Sequence, residues 1–278
     1  MRFYKFISIS ILALIAAAST SVLAAGENWR ERASAEDEMT AGDVDAEVAF
    51  GREISARILG RYKVYNDPGL VKYVNLVGLS LARSTNRPEL AYHFMILDTN
   101  EVNAYAAPGG YVFVTSGALK LMKDESELAG VLAHEIGHVT DMHVVKELKI
   151  KGVDDSLTSG LAQLVGGSTD SARAAFAQAV DKGLDMIFKD GYKREDEMQA
   201  DRTAVLICEL GGYDATGLSR YLNRIRAIKE KVPDPDGTHP TVDARIAQIN
   251  EIIASNGIET GNASANQKRF VATLKVLK

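Results

Sequence analysis

Between Leu128 and Val139 the chain sets two histidines and a glutamate inside an otherwise apolar stretch. Leu128, Ala129, Val131, Leu132 and Ala133 run into His134-Glu135-Ile136-Gly137-His138. A helix this apolar belongs in a core, so the polar motif sits mid-helix in the interior. His134 and His138 are four residues apart, emerge on one face, and can both reach one metal ion. Glu135 lies about 100° around the helix from His134. It can reach a water beside that ion without ligating it, and can serve as a general base. With 5 His and 18 Glu in 278 residues, about 0.006 such matches are expected by chance.

Two histidines leave a zinc site incomplete, and the residues nearby narrow the choice of a third ligand. The spacing that recruits a third histidine six residues later is absent, because His143 is only five residues past His138. On a continuing helix His143 points about 140° away from His138. It then reads as a helix-surface or inter-helix hydrogen-bonding residue and not as a ligand. A carboxylate from a later helix is the alternative source, and the run from Tyr192 to Arg202 is acidic. Within it Glu197 and Asp201 are four apart on one face, so one can bind the metal while the other orients a ligand histidine through its free ring nitrogen. Without the two-histidine motif, the same run would read as a solvated helix face.

The rest of the chain frames this constellation. Arg2 and Lys5 precede a 13-residue, largely apolar run from Phe6 to Ala18, and Val22-Leu23-Ala24 has the small residues of a cleavage site. That run is shorter than the about 20 apolar residues needed to span a bilayer, so residues 1–24 read as a secretory signal. Residues 25–43 are a charged leader, 44–256 the main domain, and 257–278 a polar tail with a terminal strand over Arg269 to Lys278. A formal charge of -5 argues against nucleic-acid binding, which leaves a basic footprint. Cys208 is the only cysteine, so no intrachain disulfide and no cysteine-built zinc site can form.

Periodicity predicts helices from near Asp45 to Tyr65 and along Leu70, Val74, Val77 and Leu81. It predicts strands over Tyr92–Leu97 and Gly110–Thr115, with Asn103 to Gly110 as a strand-to-turn segment between them. Beyond Ser116 the pattern is helical over 117–123, 125–148, 170–189, 192–210, 214–231 and 241–255. Ser156 to Asp170, rich in glycine and serine, reads as a mobile connection that could act as a lid.

Four ordered motifs resemble the gluzincin group that includes HtpX, BepA and the CAAX prenyl proteases. They are the His134 to His138 helix, Glu197-Met198-Gln199-Ala200-Asp201, Asn103-Ala104 with Pro108-Gly109 and the following Val112 to Leu119, and Thr238-His239-Pro240 with Arg245-Ile246. Met142-His143 departs from the Arg-His common in relatives. The resemblance implies an α+β, mostly helical zincin-like domain with a small sheet beside the active-site helix. It implies one Zn²⁺ per chain on His134, His138 and Glu197, with Asp201 behind them and Glu135 as general base. It places His239 near the metal, either stabilising an oxyanion or occupying the metal at rest. Asn103 and Ala104 would pair with an extended substrate backbone.

The function expected on these grounds is zinc endopeptidase action on unfolded or damaged envelope proteins. The expected form is a free-standing periplasmic protein without a membrane span after signal cleavage, and without nucleic-acid partners. Two other readings stand beside it: a chaperone or assembly factor with a structural zinc, and a zinc hydrolase of small cell-wall peptides. Glu135 opposes the chaperone reading, because a structural site needs no base.

Overall fold

A computed structural model describes residues 39–150, 170–229, 240–262 and 266–277. The Thr40 hydroxyl accepts from Asp43 N–H while the Asp43 carboxylate accepts from Thr40 N–H, a reciprocal cap that starts helix α1 (Ala41–Arg61). The helix thus takes in the last residues expected of the leader. Asp67 caps α2 (Pro68–Ala82), with Pro68 in the first turn, where its missing N–H costs nothing.

Three strands follow: β1 (His93–Leu97), β2 (Ala104–Ala107) and β3 (Tyr111–Thr115). Their order is β1-β3-β2, with β3 central. β1 runs parallel to β3, pairing His93 with Tyr111, and β2 runs antiparallel to it, pairing Ala104 with Val114. Side chains alternate across β3: Val112 and Val114 enter one core cluster and Phe113 the other. The β2–β3 turn uses Gly109 and Gly110 at φ +75° and +92°. Gly109 N–H donates to Glu47 Oε1 at 2.9 Å, and Glu47 pairs with Arg87 at 2.7 Å. A Cβ on Gly109 would lie 2.7 Å from Val48 Cα, so only glycine lets this turn seat on α1.

After the short α3 (Ser116–Leu121), α4 (Glu125–Thr140) carries the motif, and all of its residues are buried. Asp124 caps it, accepting from Glu127 N–H. Its N-terminal carboxylates suit the positive end of the helix dipole and have cationic partners: Arg220 on Asp124, Arg224 on Glu127 and Arg269 on Glu125. Helices α7 (Arg194–Leu210) and α8 (Gly217–Lys229) pack on α4, and α9 (Val242–Ser255) packs on both of them. Glycines allow the closest crossings. A Cβ on Gly130 would lie 2.5 Å from Leu218 N, and one on Gly137 would lie 3.0 Å from Ala200 O.

Several expectations are corrected. The helix predicted over 125–148 breaks after Thr140. Met142 adopts φ 58°, ψ 36°, and α5 (His143–Leu148) starts in a new direction. The helix predicted over 170–189 is α6 (Asp170–Asp185) followed by a π-helical turn (Met186–Asp190). The terminal strand is instead α10 (Gln267–Leu274) with a 3-10 turn (Lys275–Leu277). Phe270, Leu274 and Leu277 are its buried residues, at helical spacing, and Tyr65 OH donates to Val276 O at 2.9 Å. Residues 266–277 therefore pack onto the domain. The proposed lid and His239 lie outside the described residues. Among the described residues no helix is long and apolar enough to cross a membrane.

Candidate active site

The crossing of α4 and α7 places the two histidines opposite the acidic run. His134 Nε2 and His138 Nε2 lie 3.1 Å apart. Glu197 Oε2 lies 3.6 Å from His134 Nε2, and Glu197 Oε1 lies 3.6 Å from His138 Nε2. These three side chains form the group of potential metal donors found among the described residues. A tetrahedral zinc with bonds of about 2.0–2.2 Å spaces its ligand atoms by about 3.3–3.6 Å. The observed triangle is close to that, so the donor set fits zinc.

Asp201, fully buried on the same helix, lies 3.0 Å from His134 Nδ1. This is the arrangement expected of a carboxylate that orients a ligand histidine. Arg245, from α9, reaches Asp201 through two bonds of 2.8 and 2.7 Å and Glu197 Oε2 at 2.9 Å. Burial pushes the Asp201 carboxyl upward. The Arg245 guanidinium and the His134 hydrogen bond outweigh that and hold it well below the usual carboxylate range. Burial pushes His138 far below the ordinary histidine value, and the neighbouring His134, His143 and Arg245 add to this. The neutral ring that results is the form that can ligate.

Glu135 faces the same cavity, which has a volume of about 430 Å³. Burial is the largest influence on its carboxyl and raises it to about 7, with Glu197 adding and His134 and Arg245 opposing. A buried carboxyl poised near neutrality suits a group that takes and returns protons. One wall of the cavity is strand β2 with its approach, Val102 to Ala106. Apolar lining comes from Val131, Leu218, Leu222, Ile225 and Val242. The π-helical turn contributes Ile187 and Phe188, and Pro240, the residue after His239, also lines the space.

Strand β2 is an edge strand of the sheet, and its residues line this cavity. Asn103 faces β3, since its carbonyl accepts from Thr115 N–H at 3.1 Å and its N–H donates to Thr115 Oγ1 at 3.2 Å. Hydrogen-bonding direction alternates along a strand, so Ala104 and Ala106 direct theirs outward. Asn103 Oδ1 accepts from Ala104 N–H at 3.0 Å, and Tyr192 OH donates to Ala106 O at 3.3 Å.

Three neighbours of the donor cluster were not assigned from sequence. Arg245 was legible only as part of a resemblance. Tyr192 stacks on the His138 ring with centroids 3.7 Å apart, and no sequence signal announces that. His143 lies with Nδ1 2.8 Å from His138 Nδ1, contrary to its expected direction, because the helix breaks at Met142.

A mostly helical α+β domain with a His-His-Glu donor cluster and an adjacent buried glutamate in one cavity is the arrangement of a metallopeptidase. The chain belongs to peptidase family M48, whose family model matches residues 70–253. It is 26% identical over 211 residues to the beta-barrel assembly-enhancing protease of Escherichia coli (strain K12), covering 73% of this chain and 43% of that protein. It is 29% identical over 220 residues to the putative beta-barrel assembly-enhancing protease of Vibrio cholerae, covering 75% of this chain and 44% of the relative. With metalloprotease YcaL of Escherichia coli (strain K12) the identity is 24% over 181 residues, 65% of this chain and 69% of the relative. The chain thus spans less than half the length of the first two.

Proposed function

We propose that this chain is a zinc-dependent endopeptidase in which His134, His138 and Glu197 hold the ion and Glu135 is the general base. The observation that carries the reading is the placement of Glu135 and the three-donor cluster in one cavity beside the edge strand β2. Zinc bound there supplies a Lewis acid for the peptide carbonyl and lowers the pKa of water to about 7. Glu135 takes the proton of the attacking water and returns it to the leaving amine. Asp201 keeps the His134 ring oriented, and Arg245 neutralises the excess carboxylate charge around the cluster.

An extended polypeptide would lie along β2 and exchange hydrogen bonds with Ala104 and Ala106, a mode that reads backbone more than side chains. Asn103 holds the Ala104 amide until such a strand arrives. Backbone recognition suits unfolded polypeptides, and the names of the assembly-enhancing relatives point to envelope proteins. Residues 1–24, read as a secretory signal, fit a periplasmic location. His239, adjacent to the cavity-lining Pro240, is assigned to the same site.

The test is Glu135→Gln. Zinc content and melting temperature should stay at wild-type values while chelator-sensitive casein hydrolysis drops by about 10²–10⁴-fold. A variant that digests casein at the wild-type rate refutes the mechanism. Casein left intact by the zinc-loaded wild type refutes the peptidase reading.

A further inference from the structure

Both candidate histidine ligands use their second ring nitrogen, but in different ways. His134 Nδ1 meets the Asp201 carboxylate directly at 3.0 Å. His138 Nδ1 meets another histidine, with His143 Nδ1 at 2.8 Å and the ring centroids 4.9 Å apart at 71°. Both imidazoles are buried, at 4% exposure each.

The proton positions follow from the geometry. His138 turns Nε2 toward His134 Nε2 and Glu197. A nitrogen that ligates a metal carries no proton, so a neutral His138 ring must bear its proton on Nδ1. The neighbouring nitrogen, His143 Nδ1, must then accept it, which places the proton of neutral His143 on Nε2. That nitrogen lies 3.8 Å from Asp196 Oδ1 on α7. On this basis we infer that His143 is a positioning residue: it accepts the His138 Nδ1 proton, and so holds His138 in the tautomer and ring orientation that present Nε2 to the metal. The inference rests on the metal centre proposed above.

This device depends on the break in α4. Had the helix continued, His143 would point about 140° away from His138. The left-handed Met142 ends the helix and swings the first residue of α5 back beneath the second ligand. Helix α7 then backs both histidines. Asp201 acts on His134 directly and Asp196 faces His143, on either side of Glu197 in sequence. An outer partner that orients a ligand histidine typically contributes about 10–100-fold in metal affinity.

The experiment measures zinc affinity by competition with a chromophoric chelator on the full chain, with metal-free melting temperatures recorded alongside. His143→Phe keeps a ring but has no acceptor, and should bind zinc about 10–100-fold more weakly than wild type. His143→Asn, whose Oδ1 can stand in for Nδ1, should bind within about threefold of wild type, since the acceptor is restored. Wild-type affinity in the Phe variant overturns the inference. Equal weakening in the Phe and Asn variants also overturns it, because packing alone would do that. If the Phe variant does not fold, His143→Ala replaces it in the comparison, with the same outcomes. A wild-type chain that binds no zinc would instead refute the metal centre itself.

Discussion

Arg245→Met tests whether one guanidinium holds the buried charge of this site together. Arg245 is 15% exposed and contacts Asp201, at 0%, and Glu197, at 14%. Methionine keeps much of the side-chain length and removes the charge, so the carboxylates lose their shared cation without creating a large cavity. Removing one partner of a buried ion pair costs about 3–5 kcal/mol. For a domain of this size each kcal/mol lowers the melting temperature by about 2–4 °C. The metal-free variant should therefore melt about 6–20 °C below the metal-free wild type at pH 7. Saturating zinc supplies positive charge to the same carboxylates, so the gap should narrow when the ion is bound.

The pH dependence of that gap has a definite sign. In the wild type Asp201 is held below the ordinary carboxylate value of about 3.9. Its contribution to stability is present above that value and is lost as pH falls through its lower folded value. The difference between wild type and variant should thus be full near neutrality and shrink below about pH 4. Thermal unfolding by circular dichroism, with chelator or with zinc, measures it. A metal-free variant melting within about 2 °C of wild type at pH 7 would refute the assignment of Arg245 as the neutralising cation.

Two further outcomes are expected. Glu197→Ala should lose bound zinc on dialysis while Glu195→Ala, whose side chain is exposed, keeps about one ion per chain, because three protein ligands complete such a site; elemental analysis of the two proteins decides between them, and retention by the Glu197 variant removes that residue from the centre. Gly130→Ala should destabilise by about 1–3 kcal/mol despite the better helix propensity of alanine, since the new methyl would lie 2.5 Å from Leu218 N and force α8 away from α4; denaturant unfolding checks this, and a stabilised variant contradicts the close packing of those helices.

Much of the site was legible in the chain itself. The i, i+4 spacing of His134 and His138 places both rings on one side of a helix whatever surrounds it, and the same arithmetic pairs Glu197 with Asp201. Helical and alternating periodicities located the two main strands and most of the helices, since the core selects apolar side chains at those periods. Where the chain carried a weaker signal, tertiary contacts decided. The C-terminal segment has the apolar content of a strand but buries Phe270, Leu274 and Leu277 as a helix. Met142 has no intrinsic preference for a left-handed conformation, so nothing local announces the break that brings His143 to His138. Arg245 lies 44 positions from Asp201, and only the packing of α9 on α7 makes them partners. Spacing along one helix is set by covalent geometry and can be read from the chain, whereas the meeting of two helices depends on how closely their surfaces can approach, and in this protein Gly130 and Gly137 permit the approach that assembles the site.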